Sequence, residues 1–477
     1  MSSSHIVRCR APRGRIRQLP VTRDPDVLSG LCSDAAHFPG GFADGVAFVE
    51  SEADVATALR EARAVLAIGA QSSLTGGATP HGELLLSFAR MKQMTIGERS
   101  ARVQAGVTLD ELDAALAPQA LCYPPAPTFT GATVGGVIST NAAGPSTFKH
   151  GPTRPWVERL TVVLASGDVI EIERGEYRAH ADGYFVFRSN HGDIRVPVPP
   201  IASPDVPKCS AGYALARDMD VIDLFIGAEG SLGVVTEATL RLQSAPPAHI
   251  VALVRAPIEN VAVQLAAALR TAAHTTWRSG DRDGIDVSAI EHADGRAVSL
   301  LVDDRADADI GIDIGRETGA LLWVALDVAE PAGREQLWQQ VESALDRTAA
   351  DSPVRRFCLL LDHFELLDRT ELAFPDEAGK HAQFRKLREA IPLAVNRRIA
   401  QAQHAFGPSV AKAAGDFIVP FAQFGNMVAA CRDAAASRHL DMAIWGHLSD
   451  GNIHPNILPR CADDMALAYS ALLEAGL

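Results

Sequence analysis

The sequence predicts an α+β chain of two main domains that meet near residue 243. Three observations lead there. Residues 41–243 alternate short apolar strands with loops of small residues. "QSAPPAH" (243–249) has the composition of a linker. Beyond it, strands and helices alternate in a split β-α-β rhythm, which suits an antiparallel sheet covered by helices.

The elements follow in order. Residues 1–40 read as a disordered basic arm. Arg8, Arg10, Arg13, Arg15 and Arg17 precede the first acid, Asp24, and no amphipathic face of the transit-peptide kind is present. A helix starts at Ser51, with Asp54 as its capping partner and Val55, Leu59 and Ala62 at helical spacing. A second starts at Thr108 with Glu111, turns Leu112, Ala115 and Leu116 inward, and stops at Pro118. "RLTVVLASGDVIEIE" (159–173) reads as two strands around Ser166-Gly167, and the Pro-rich stretch 190–207 as an irregular insertion. In "GVVTEATLRL" (233–242), Ala238, Leu240 and Leu242 share one face. The domain from 244 to 477 opens with strand "HIVALVRA" and a helix near 258–273. It continues with strand "ALLWVALDV" and helix "REQLWQQVESALDRT". Strands "DFIVPFAQF" and "DMAIWGHL" follow around helix "GNMVAACRDAAASRH".

Composition narrows the function. The 477 residues are 47% apolar, enough for sizeable cores. A net charge of −14 argues against a nucleic-acid surface. No run approaches the roughly 18 apolar residues of a membrane span. The cysteine count of 7 is odd and no C-x-x-C occurs, so neither a disulfide framework nor a thiolate metal site is expected. A cytoplasmic location fits.

No P-loop and no strand-linked G-x-G-x-x-G is present. Instead there are three loops of small residues: "GAQSSLTGG" (69–77), "PPAPTFTGATVGGVISTNAAGP" (124–145) and "GAEGSLGVVTE" (227–237). Small side chains let backbone N–H groups approach an anionic ligand, and the first loop contains no acid.

Near the C-terminus stands "GHLSDGNIHP" (446–455). Asp450-Gly451 is a strong two-residue hairpin signal. A chain folded there would set His447 opposite His454 on one face. Two adjacent imidazoles suit a divalent metal, or one ligand and one base, or simply a hydrogen-bonded pair.

These segments, with "VQAGVTLDEL" (103–112), "KHGPTRPWV" (149–157) and "DLFIGAEGSLGVVTEATLRL" (223–242), resemble the flavin-dependent oxidases of the vanillyl-alcohol oxidase / p-cresol methylhydroxylase type. The branch they look most like is that of D-lactate dehydrogenase and the glycolate oxidase FAD subunit. The resemblance is strong over 41–243 and weaker over 244–477. It implies a two-subdomain FAD-binding domain and a ferredoxin-like substrate domain. Gly69, Gln71, Ser72, Ser73, Leu74 and Gly76 would then hold the FAD pyrophosphate. Pro127, Thr128, Thr133, Gly136, Asn141 and Gly144 would line the flavin channel, with Glu229 and Val235 near the ribityl and adenosine portions. Gln71 stands where relatives usually have Gly, and His150 where a Tyr is common. The first loop has no histidine, so non-covalent FAD is expected.

In the second domain the resemblance makes His447 and His454 ligands of a divalent metal, Zn or Mn, at the catalytic centre. Arg388 would bind the substrate carboxylate and Asn456 would help hold the substrate. Pro392 replaces a threonine of some members, and Lys412 lies four residues before Asp416, out of line with the usual lysine. The segment that supplies a third metal ligand and a histidine in relatives is not found before Leu477, so the chain reads as C-terminally truncated relative to the family. Asp450 and Asp416 are the carboxylates named as substitutes. The activity implied is oxidation of a D-2-hydroxy acid by hydride transfer to flavin, with oxygen, a quinone or a partner subunit as electron acceptor. A homo-oligomer is expected. Two other readings stay open: a flavoenzyme like alkylglycerone-phosphate synthase, and a non-catalytic flavin-binding subunit.

Overall fold

The computed structural model describes the chain except residues 1–3, 16, 37–39, 126, 191, 202–203, 329–331, 408 and 477. It divides into two compact units. One holds Met1–Gly144 and Gly151–Ala245, the other Pro145–His150 and Pro246–Leu477.

Among its described residues the first unit contains three sheets, the smallest being the pair Leu121–Cys122 and Gln243–Ser244. A small parallel sheet sets Leu84–Ser87 between Gly45–Phe48 and Val65–Ile68. A larger one has eight strands, with Val234–Arg241 between Val157–Val163 and Ser100–Gln104. Ala238, Leu240 and Leu242 are buried on one face, as their alternation predicts. Both helix caps form. Ser51 accepts from the Asp54 amide, and Thr108 with Glu111 makes a complete capping box.

Two expectations for this unit are corrected. Ile6–Arg10 is not part of a disordered arm but a strand, parallel to Tyr184–Ser189 and antiparallel to Val169–Glu173. Its arginines are matched by carboxylates far along the chain: Arg10 bonds Glu52 and Glu171, and Arg17 bonds Glu50 and Asp54. The Pro-rich stretch is also partly regular, because Gly192–Pro197 pairs with Tyr184–Ser189.

The second unit is built on one antiparallel sheet. Its path runs Thr370–Ala373, Ala248–Ala256, Ala320–Val328, Val287–Asp294, Asp441–His447, Asn452–Leu458 and Ala413–Ala414. The helix predicted near 258–273 runs Glu259–Ser279. "DFIVPFAQF" yields only the two-residue strand Phe417–Ile418, since Pro420 has no N–H for a ladder and turns the chain into a 3-10 helix. Helices cover both faces. Those at Glu259–Ser279, Pro353–His363, Phe424–Ala436 and Asp463–Gly476 bury one face, around Ile290, Val324, Ile444 and Ile457. Those at Gly295–Asp303 and Ala378–Phe406 bury the other, around Ala293, Trp323, Ala443 and Leu458. No described helix is long and apolar enough to cross a membrane.

Candidate functional site

In the first unit the three small-residue loops share one backbone device. Seven described non-glycine residues have positive φ, and three of them sit one in each loop: Gln71 (49°), Asn141 (47°) and Glu229 (50°). Left-handed residues turn successive N–H groups toward one side, which makes an anion-binding concavity. Gln71 thus adopts a left-handed conformation that favours glycine, and its side chain helps hold it there. Its Nε2 donates to the carbonyls of Leu31 and Ala78, both at 2.9 Å.

The loops are tied together. The Glu229 amide donates to the Ser139 carbonyl at 2.8 Å, and the Gly227 amide to Ile138 at 3.0 Å. Asn141, 1% exposed, accepts the Arg154 amide on Oδ1 at 2.9 Å. Thr133 caps Val134–Ser139 by accepting from the Gly136 amide. Val235 lies in the apolar core, so its side chain packs rather than projects. Leu74, Thr128, Gly69 and Gly136 are exposed, Gly144 is buried, and Ser72, Ser73, Gly76 and Pro127 are half-buried. An acid-free loop with backbone donors and exposed glycines fits the FAD pyrophosphate.

Gly69 has no room for a side chain, because an added Cβ would lie 2.1 Å from Thr133 Oγ1 and 3.2 Å from its Cβ. Gly69→Ala must displace either the loop or the helix cap. That overpacking costs about 1–3 kcal/mol. We expect flavin affinity to fall about tenfold or more, read as the FAD retained after gel filtration; full retention would show that the loop holds no flavin.

In the second unit the site is assembled on one face of the sheet. Glu291 and His447 are directly opposed on neighbouring strands, so their side chains share a face. Glu291 Oε1 meets His447 Nδ1 in a short hydrogen bond, and its Oε2 meets Arg388 at 2.5 Å. Arg388 is placed by the Ala378–Phe406 helix. That helix is pinned one turn earlier, where the Trp323 indole N–H donates to the Phe384 carbonyl at 3.0 Å. Glu291 is 5% exposed and His447 7%. Burial pushes the Glu291 carboxyl up, but Arg388 and His447 outweigh it and hold it down at about 2.

The two histidines do meet, with ring centroids 5.3 Å apart and planes at 89°. The hairpin is not the predicted one. Trp445, rather than His447, opposes His454, and Ile444 opposes Pro455. The turn is a 3-10 step, Leu448–Asp450, closed by Gly451 at φ 78°. The imidazoles are therefore diagonal neighbours, still within reach of each other.

This geometry does not show the expected metal centre. Among the described residues no group of three or more His, Cys, Asp or Glu side chains is arranged to hold a metal ion. His447 Nδ1 is engaged by Glu291, and His454 Nδ1 lies 3.3 Å from Asp416. Two histidines alone fall short of the three protein ligands usual for such a centre. The substitutes named from the sequence do not complete it. Asp450, 1% exposed, faces Arg270, whose guanidinium lies against Phe148 and Phe421. Asp416 is 73% exposed and takes a hydrogen bond from Asn452 at 2.6 Å.

Glu291 is the residue that sequence reasoning missed. Its signal was an acid inside "VSAIEHAD", a stretch buried at every position. A carboxylate is placed there at high cost unless it has partners. Asn456, expected to help hold substrate, is 1% exposed. It donates to the His454 carbonyl at 3.0 Å, and its Oδ1 is buried with no hydrogen-bond partner among the described residues.

A domain whose small-residue loops each carry a left-handed turn, the first of them free of acids, followed by a helix-covered antiparallel sheet bearing a His–Glu–Arg cluster, fits a two-domain flavoprotein. Sequence comparison places it within that class. Residues 43–173 match the FAD binding domain, and 257–474 match the C-terminal domain of FAD linked oxidases. The chain belongs to the FAD-linked oxidases, in the branch of the D-lactate dehydrogenases and the glycolate oxidase FAD subunit. It is 34% identical to a D-2-hydroxyglutarate dehydrogenase of Xanthomonas citri pv. viticola, over 46% of this chain and 40% of that one. It is 28% identical to the glycolate oxidase subunit GlcD of Bacillus subtilis, over 85% of this chain and 70% of that one. The former match thus spans less than half of the relative's length. A solved alkyldihydroxyacetonephosphate synthase superposes with a TM-score of 0.55 at 13% identity, covering 91% of this chain and 71% of that one. That likeness concerns the fold alone.

Proposed function

We propose that the protein is an FAD-dependent oxidoreductase that converts a D-2-hydroxy acid to the 2-oxo acid. The observation that carries this reading is Glu291, which binds Arg388 with one oxygen and His447 with the other. That arrangement sets a carboxylate-binding cation beside an imidazole of fixed tautomer. Arg388 has five N–H donors in a planar fork, enough for Glu291 and a substrate carboxylate together. With Nδ1–H directed at Glu291, His447 presents Nε2 as a base for the substrate hydroxyl. Glu291 also stabilises the imidazolium formed when that proton arrives. FAD, when bound, supplies the acceptor for the hydride leaving C2. In this reading Gly69, Gln71, Ser72, Ser73, Leu74 and Gly76 present the pyrophosphate-binding backbone, and FAD is held non-covalently.

The test is anaerobic mixing of the FAD-loaded protein with D-lactate, glycolate or D-2-hydroxyglutarate. Bleaching of the oxidised flavin by at least one is expected, and none by the L-isomers. Failure of all three to bleach it removes the hydroxy-acid reading. Acid precipitation of the same sample should leave the flavin in the supernatant.

A further inference from the structure

The eight-stranded sheet of the first unit ends at Gly192–Pro197. Among the described residues this strand has a neighbour, Tyr184–Ser189, on one side only. An edge strand exposes a row of backbone donors and acceptors and is a template for further pairing unless something covers it. Here Gly192, Asp193, Ile194, Arg195 and Pro197 are all exposed. Ile194 is 62% exposed, although it lies opposite Phe187, on the face that Phe185 and Phe187 bury in the core.

The register shows which backbone groups face outward. The Val198 amide donates to the Gly183 carbonyl at 2.9 Å, and hydrogen-bonded pairs alternate along an antiparallel ladder. Val196, Ile194 and Gly192 are therefore the residues bonded inward, to Phe185, Phe187 and Ser189. The N–H and C=O groups of Asp193 and Arg195 point away from the sheet, together with the Pro197 carbonyl.

A second copy of the strand fits this edge. Identical strands related by a two-fold axis run antiparallel, and outward groups must meet outward groups. Centred on Asp193, such a pair sets Asp193 against Asp193. Centred on Arg195, it sets Arg195 against Arg195 and Asp193 against Pro197, which has no N–H to give. Like charges directly opposed are destabilising. Centred on Ile194, it sets Asp193 against Arg195 of the second copy, twice over by symmetry, and Ile194 against Ile194.

We propose that Gly192–Pro197 pairs antiparallel with the same strand of a second copy, in the register centred on Ile194. Each Asp193–Arg195 rung then exchanges both of its backbone hydrogen bonds. The side chains suit the contact. Asp193 takes a hydrogen bond from Arg188 Nη2 at 2.7 Å, and a carboxylate has acceptor sites left for a second guanidinium. Arg195 lies with Cζ 3.8 Å from the Tyr184 ring centroid. Stacking occupies the face of the guanidinium and leaves its N–H edge for a carboxylate. The two Ile194 side chains extend the apolar face that Phe185 and Phe187 begin. A single strand pair is a small contact, so the dimer is reversible, with a Kd on the order of micromolar.

Sedimentation velocity of the full chain from about 1 to 100 µM tests this. Wild type should pass from monomer to dimer over that range. Asp193→Arg and Arg195→Asp should each weaken the dimer about tenfold or more, because each opposes like charges on both rungs. An equimolar mixture of the two variants should restore it, since every rung of the mixed dimer again joins an arginine to an aspartate. A cross-link reads the register independently. Opposed residues of a non-hydrogen-bonded pair have Cα atoms about 4.5 Å apart, within reach of a disulfide. Ile194→Cys should therefore give a covalent dimer under an added oxidant that wild type does not give. A wild type that stays monomeric throughout overturns the proposal. So does a dimer that neither charge reversal weakens, a mixture that fails to restore what the single variants lose, or an Ile194→Cys protein that does not cross-link.

Discussion

Glu291→Ala will abolish flavin reduction by hydroxy acids and lower folding stability by about 3–5 kcal/mol, the usual cost of removing one partner from a buried ion pair. The substitution leaves the Arg388 cation without its counter-charge beneath the sheet and releases the His447 tautomer. Loss of a positioned base typically lowers kcat by about 10²–10⁴-fold. FAD content should stay normal, because the expected flavin loops belong to the other unit. Glu291→Gln sharpens the test. An amide oxygen can still accept from His447 Nδ1, but the amide NH2 then faces Arg388, donor against donor. Chemical denaturation and stopped-flow flavin reduction check both effects. A Glu291→Ala protein of wild-type stability and rate would remove the proposed role of the cluster.

The same carboxylate makes stability depend on pH with a definite sign. Its folded pKa, about 2, lies below the ordinary glutamate value. A depressed carboxylate contributes stability that is fully present above the unfolded pKa and lost as pH falls through the folded one. The window runs from about pH 4.5 down to about pH 2, and the contribution is about 3 kcal/mol. Wild type should therefore lose its stability advantage over Glu291→Gln progressively across that window. Asp327 and Glu259 are also held at about 2 by partners in this unit, so the comparison with the variant, not the wild-type curve alone, isolates Glu291.

Much of this was legible in the sequence because it is encoded locally. Thr108 and Glu111 signal their helix start through bonds three residues apart. Ala238, Leu240 and Leu242 show their buried face through a period of two. What escaped depends on long-range pairing. The Arg10 strand looked like a basic arm because Glu52 and Glu171 lie far along the chain. Glu291 and His447 are 156 residues apart and meet only through strand register. The hairpin shows both cases at once. The Asp-Gly signal correctly placed a turn that brings two imidazoles together. It misjudged the turn's length, because the 3-10 step and the pairing of His447 with Glu291 on its other side shift the register by two. Alternation survives a shift of two, and so the histidines still share a face.

That turn should be intolerant of any side chain at Gly451, and the reason is separable into two parts. Its φ of 78° lies in the left-handed region, and an added Cβ would sit 2.2 Å from the Val419 carbonyl oxygen. The first costs an L-residue about 1 kcal/mol. The second is a clash with backbone, which cannot swing aside as a side chain can; the Gly451 carbonyl also accepts the Val419 amide at 3.1 Å. Overpacking of this kind adds about 1–3 kcal/mol. We expect Gly451→Ala to lose about 2–4 kcal/mol in total and to slow flavin reduction sharply, because the turn links the strands that carry His447 and His454. Gly451→Asn distinguishes the two parts. Asparagine accepts left-handed φ readily, so a rescue by Asn would show that conformation dominates, whereas equal loss shows that the Val419 contact does. Gly425→Ala is the control of opposite sign. It lies in the Phe424–Ala436 helix, its added Cβ meets nothing within 4 Å, and alanine there should raise stability by up to about 1 kcal/mol. Thermal unfolding of the three variants, with flavin reduction measured alongside, separates a strained turn from a general sensitivity of this unit to added methyl groups.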